Sequence, residues 1–277
     1  MRRKSTFFKV ASQWLTAVFL AVTLGFFFLF ATAFQVTSDG TAHRILRRGV
    51  AMTTDIDAIL PQLETDLHAA ATSSEEESVR VPNFPVPVDI PQEEATRIQG
   101  EELRTRILDE SADRLYEDGM SVWAESDPEG QQDIERVSTA GGLHRAFGLA
   151  TEKWNTIFLI AAVLFAFLSL VLAAILWIAL KSYMRFLALG AATAAAAVLS
   201  LAAAVATRFA LRTAETEADP FEKDLIDLGV DVVWLFIRNY LILSLLGFLV
   251  LAVSSFFLWW QSRPAAASSV RPIDTAA

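Results

Sequence analysis

The chain has 277 residues, 53% of them apolar, a formal net charge of −9 and no cysteine. Its long uncharged runs exceed what a soluble core of this size absorbs, so composition alone points to an integral membrane protein. Lack of cysteine excludes a disulfide framework, a thiolate zinc site and a cysteine nucleophile, and none of Asn83, Asn155 and Asn239 opens an N-x-S/T acceptor, which together favour a bacterial envelope over a eukaryotic secretory pathway.

Residues 1–13 hold Arg2, Arg3, Lys4 and Lys9 without an acid and lead into a first span, residues 14–35. A basic start, an apolar stretch and the triplet Ala31-Thr32-Ala33 are also the three parts of a cleavable signal peptide. The stretch is longer than the usual ~7–15 residues of such peptides, and Gly25 to Phe30 is bulky and aromatic, so we read a retained span with cleavage left open.

Residues 36–153 carry twenty-four acids against eleven bases. Ile45, Met52, Ile56, Ile59, Leu63 and Leu67 recur at helical spacing, and Pro61 predicts a break near Ile59 and Leu60. Residues 71–78, with Glu75, Glu76 and Glu77, read as a solvated loop. Pro82, Pro85, Pro87 and Pro91 then predict an extended, polyproline-like path, with no strand pattern long enough for a sheet. Pro91, Glu93 and Glu94 start a helix expected to run to about Tyr116, with Ile98, Ile107, Leu108, Ala112 and Leu115 inward and Gly119 beyond its end. After a loop at residues 125–130, Ile134, Val137, Leu143 and Phe147 suggest a last helix that Gly141 and Gly142 weaken.

The second span, residues 154–180, is twenty-seven residues without a charge. Trp154 and Trp177 stand ~35 Å apart along such a helix, one for each interfacial belt. Residues 181–185 form a link so short that the third span, residues 186–207, must be its antiparallel neighbour. That span is rich in alanine, and Gly190, Thr193 and Ser200 are its candidate helix-packing residues, small or hydroxylic groups that let backbones approach. Residues 208–232 read as an acidic loop with a short amphipathic helix marked by Phe221, Leu225, Leu228 and Val232. A fourth span, residues 233–260, is bracketed by Trp234 and the pair Trp259 and Trp260, and residues 261–277 read as a disordered tail. The fold class is thus an all-α membrane protein of four transmembrane helices, with a large, mostly helical extracytoplasmic domain between the first two.

Sidedness follows from charge. Residues 1–13, 181–185 and 261–277 hold eight bases and one acid, Asp274, while the other side holds thirty-one acids. Basic short loops stay in the cytoplasm, which predicts a multi-pass bacterial cell membrane protein with both termini inside.

Motifs for chemistry are scarce. His43, His68 and His144 are far apart and fit no metal pattern, and no phosphate-binding glycine loop or nucleophile elbow is present, so neither an enzyme nor a cofactor is expected. The acids around Asp55 and Asp57, and around Asp127 to Glu129, do not have the spacing of a calcium loop. Arg238 is a lone charge within a predicted span, expected to snorkel to headgroups or pair with Asp231 or Asp227. Arg44, Arg47 and Arg48 share a helical face and are candidate contacts for headgroups, for a partner, or for acids such as Glu215, Glu217 and Asp219.

A helical external domain between the first two spans is similar in layout to bacterial chemoreceptors and sensor kinases, although no motif is shared. Cytoplasmic segments of at most seventeen residues leave no room for a kinase or a nucleic-acid-binding module. The expectation is a non-enzymatic envelope protein whose external domain is an interaction or sensing module for another membrane or envelope protein, with the lipid bilayer as its other partner. The alternative is a small transporter, channel or transporter accessory subunit.

Overall fold

A computed structural model describes residues 2–73, 76–119, 121–122, 148–180, 184–215 and 220–262. The expected loop at residues 125–130, the helix around Gly141 and Gly142, His144, Glu217, Asp219 and the tail from residue 263 lie outside the described residues. In chain order the elements are α1 (Arg2–Val36), α2 (Asp39–Thr54), α3 (Ile56–Ser73), β1 (Ser78–Arg80), β2 (Asp89–Pro91), α4 (Gln92–Ala95), α5 (Gly100–Glu117), α6 (Glu152–Ala179), α7 (Met184–Ala214) and α8 (Pro220–Ser262). Four of these helices, α1, α6, α7 and α8, are long and apolar enough to cross a membrane.

The chain divides into two compact units. The first, an apolar unit, comprises Met1–Phe28, Val163–Val205 and Ile237–Ala277. Large side chains such as Phe167, Leu170, Leu199 and Leu245 are more than 60% exposed there, a surface that water would penalise and hydrocarbon would not. Its interior is small: Leu20, Leu176 and Ala192 are buried among Ala17, Leu24, Leu172 and Leu189. On α7 the buried positions are Gly190, Ala192, Ala194, Ala196 and Ala197, all without bulk; Gly190, Ala194 and Ala197 share one side of the helix, Ala192 and Ala196 the other. The side that holds Gly190 and Ala194 lies close to α8. A Cβ on Gly247 would stand 2.8 Å from the Ala194 backbone nitrogen, and one on Gly190 would stand 3.0 Å from Val250 Cγ1 and 3.1 Å from the Leu251 nitrogen. At such distances the attraction is backbone dispersion, the main cohesive term between helices in lipid.

The second unit, the lobe, comprises Leu29–Ala162 and Ala206–Phe236. One apolar cluster holds it together, including Leu46 and Val50 of α2, Leu67 of α3, Ile107 and Leu115 of α5 and Leu228 of α8. Asn155 of α6 donates to the Phe34 carbonyl (3.1 Å) and to Thr37 Oγ1 (3.2 Å), supplying a donor to one of the carbonyls that the end of α1 leaves open.

Several expectations are corrected. The break expected at Ile59 and Leu60 falls instead at Asp55, which takes a left-handed conformation (φ 44°) that aspartate tolerates better than most residues. Pro61 is accommodated inside α3. The expected absence of a sheet is overturned by a two-stranded antiparallel ribbon, in which Val79 faces Ile90 and Arg80 faces Asp89. Val79, Val81, Val86, Val88 and Ile90 are all buried, so alternation outweighs the prolines, whose missing donors matter little where both strands are edges. Asn83, at φ 54°, supplies the left-handed residue between the strands. The single helix expected from Pro91 to Tyr116 is two, α4 and α5, separated by residues 96–99; Gly100 (φ 56°) opens α5 and its N–H donates to Glu64 Oε2 at 3.1 Å. Finally, residues 208–232 are not a loop with a separate short helix: α7 continues to Ala214, and the amphipathic stretch is the first third of the 43-residue α8.

Substituting Gly247 by Ala should lower the melting temperature of the detergent-solubilised protein by the equivalent of ~1–3 kcal/mol, since the opposing atoms are backbone and do not yield. Gly25→Ala, where nothing lies within 4 Å, should leave it unchanged or slightly raised, and equal effects of the two changes would disprove the close contact.

Candidate functional site

Within the lobe, charged side chains are mostly consumed by one another. Arg47 of α2 pairs with Asp109 of α5 at 2.9 Å, Arg104 with Asp57 at 2.6 Å, and Arg114 with Asp89 of the ribbon at 2.7 Å. The Arg104 guanidinium has its pKa raised, chiefly by the hydrogen bond it donates to Asp57. His43 has Asp39 Oδ1 at 3.1 Å from Nδ1 and Asp113 Oδ1 at 2.6 Å from Nε2, with the Tyr116 ring centroid 5.0 Å away. These pairs join α2, α3, α5 and the ribbon; being partly exposed, each adds ~1 kcal/mol or less.

The described residues of the lobe also line depressions, two of which differ sharply in character. One, of about 440 Å³, is polar: Arg48 of α2, Arg208 and Arg212 of α7, and Asp227, Val230, Asp231 and Trp234 of α8. Arg48 donates to Asp231 Oδ2 at 3.2 Å, and the Arg208 guanidinium lies over the Trp234 ring, 5.0 Å from its centroid. No ion pair joins Arg208 or Arg212 to another described residue. The other depression, of about 410 Å³, is apolar, and its lining includes Val36, Ile45, Phe158, Leu211, Leu228 and Phe236. At 100° per residue, positions 227, 230, 231 and 234 occupy one side of α8, and 225, 228, 229, 232, 233 and 236 the opposite side. The start of α8 therefore separates a charged cleft from a greasy one.

The three arginines expected to act as one face are divided. Arg44 is exposed and donates to the Gly40 carbonyl of its own helix at 3.0 Å; Arg47 belongs to the lobe's ion pairs; only Arg48 reaches the cleft. Its partner among the described residues is Asp231, an acid of the segment 208–232 from which a partner was expected. Arg238 is exposed, and among the described residues it has no ion-pair partner. In the apolar unit, Gly190 faces α8, while Thr193 and Ser200 are half-buried, the latter hydrogen-bonded to the Tyr240 side chain. Arg208, Arg212 and Trp234 were not singled out as a site from the sequence. The available signal was the spacing of Arg208 and Arg212 by four directly after an apolar run, together with Asp227, Asp231 and Trp234 at helical intervals. Among the described residues no group of histidines and carboxylates is arranged to hold a metal ion.

The chain matches no family model, no curated protein and no solved structure.

Burial, helped by the nearby charges of Asp39 and Glu152, pushes the Tyr116 hydroxyl above its ordinary value of 10.0. An acid raised in this way keeps its proton in the folded state after the unfolded chain has lost it, so stability is intact below about pH 10 and declines as pH rises beyond that. Tyr116→Phe should reduce this alkaline loss, measured as the change in melting temperature between pH 8 and pH 11. An identical alkaline decline in both proteins would remove Tyr116 as a cause.

Proposed function

We propose that this chain is a non-enzymatic, multi-pass protein of a bacterial cell membrane, whose lobe is an extracytoplasmic interaction or sensing module for a partner of basic or cationic surface. The observation that carries the reading is the fate of the lobe's charges. Arg47, Arg104 and Arg114 are committed to internal ion pairs, while Glu93, Glu102, Glu117 and Asp118 are exposed. With twenty-four acids against eleven bases in residues 36–153, the outer surface has carboxylates to spare. A field of that sign attracts cationic partners and repels nucleic acid. The lobe's apolar cluster provides a rigid platform for it, and each of the four long helices contributes residues to both units. The orientation rests on the basic short segments at residues 1–13 and 181–185.

Because the chain has no cysteine, single introduced thiols report sidedness directly. Thr65→Cys should react with a membrane-impermeant maleimide in intact spheroplasts and Ser269→Cys only after lysis; the reverse pattern would invert the topology. A photo-crosslinker at Glu102 or Glu117 in native membranes should give a discrete adduct that is lost when the neighbouring carboxylates are neutralised. Absence of any adduct, combined with solute-dependent flux in proteoliposomes, would replace this reading with transport.

A further inference from the structure

The polar cleft has a composition that the lobe's other charged groups lack. Three guanidinium groups from two helices, α2 and α7, converge on one open space, and the acids lining it are Asp227 and Asp231. Asp231 is occupied by Arg48. Arg208 has only an aromatic face as its partner here, and neither it nor Arg212 has a carboxylate within ion-pair distance among the described residues. Among the described residues the lining therefore carries one positive charge in excess, formed by strong, fork-shaped donors that match phosphate oxygens. Its depth is also defined. Arg208 directly follows the uncharged run Phe186 to Thr207, and Trp234 stands where α8 turns from charged to apolar sequence. Trp, Tyr and Arg at such boundaries lie at headgroup level, where the phosphates of a bilayer are found.

We propose that Arg208 and Arg212, with Arg48 behind them, form a binding site for the phosphodiester of an anionic membrane phospholipid such as phosphatidylglycerol. One excess charge suits one phosphodiester. Trp234 gives the upper part of the lipid an amphipathic wall and holds the Arg208 plane in place through their stacked contact. Asp227 and Asp231 keep the cleft from acting as a general anion trap, so a more highly charged anion gains little. The site needs nothing from the lobe's outer carboxylates and does not depend on which leaflet it faces.

The test is native mass spectrometry of the delipidated full-length protein, titrated separately with phosphatidylglycerol, phosphatidylcholine and glycerol 3-phosphate. One phosphatidylglycerol per chain should be retained at least fivefold more strongly than phosphatidylcholine, with no retention of glycerol 3-phosphate. Arg208→Gln with Arg212→Gln should abolish that preference, whereas Arg97→Gln, at an exposed residue between α4 and α5 that does not line the cleft, should preserve it. Equal retention of the two lipids by the unaltered protein, or an undiminished preference in the double variant, would overturn the proposal. Retention of glycerol 3-phosphate comparable to that of the lipid would assign the cleft to a free phosphate and overturn the lipid. Should the double variant fail to fold, the unaltered protein decides alone: preference for phosphatidylglycerol must fall by at least threefold between low and high salt, and a salt-independent preference refutes guanidinium recognition.

Discussion

The approach of α7 to α8 at Gly190 and Gly247 sets the terms for the packing of the apolar unit. In hydrocarbon there is no hydrophobic force to drive helices together, so they hold by close contact, and only residues without side chains let one backbone lie against another. Ala194, which meets Gly247, lies on the same side of α7 as Gly190. Within the lobe the same two helices meet again, more loosely, where Leu211 lies 3.5 Å from a Cβ position on Gly229. Leu211 and Gly229 lie on the same stretches of α7 and α8 as Arg208, Arg212 and Trp234, and that contact inside the lobe helps give the polar cleft a shape.

The lobe follows a different physics. Its cohesion is ordinary burial from water: leucine, isoleucine and valine from α2, α3, α5 and the ribbon, all nearly inaccessible, with contributions from the start of α8. Ion pairs decorate that core and add direction more than energy. They also decide what is left over. An acid-rich chain that spends Arg47, Arg104 and Arg114 internally presents carboxylates outside, while Arg208 and Arg212, which have no ion pair among the described residues, lie near the end of α7. The lobe's acidic exterior and the cleft's small positive excess are two results of one distribution of charge.

Much of this was legible in the sequence. Charge-free runs of twenty residues or more announce spans whatever they pack against, and the helical stripe of Ile45, Leu63 and Leu67 announces a buried face. Where the reading failed, two local rules competed. The prolines of residues 82–91 suggested a polyproline path, but the alternating valines paired into a ribbon once a core was available to bury them. Pro61 suggested a break, yet the chain broke at Asp55, since a proline six residues into a helix costs one hydrogen bond and an aspartate can turn left-handed at little expense. Residues 208–232 were read as a loop on account of their charge, but charge does not end a helix, and both α7 and α8 run well into that stretch.

By itself the sequence determined the number of long apolar helices and the helical character of the lobe, because those depend on composition and period along the chain. Tertiary structure alone decided that Arg47 and Arg48 part company, that Asn155 meets the end of α1, that Gly247 and Ala194 touch, and that three arginines share a cleft with Trp234. Each of these joins residues distant in the chain, often by more than a hundred positions, and no local pattern encodes a contact whose two halves lie on different helices.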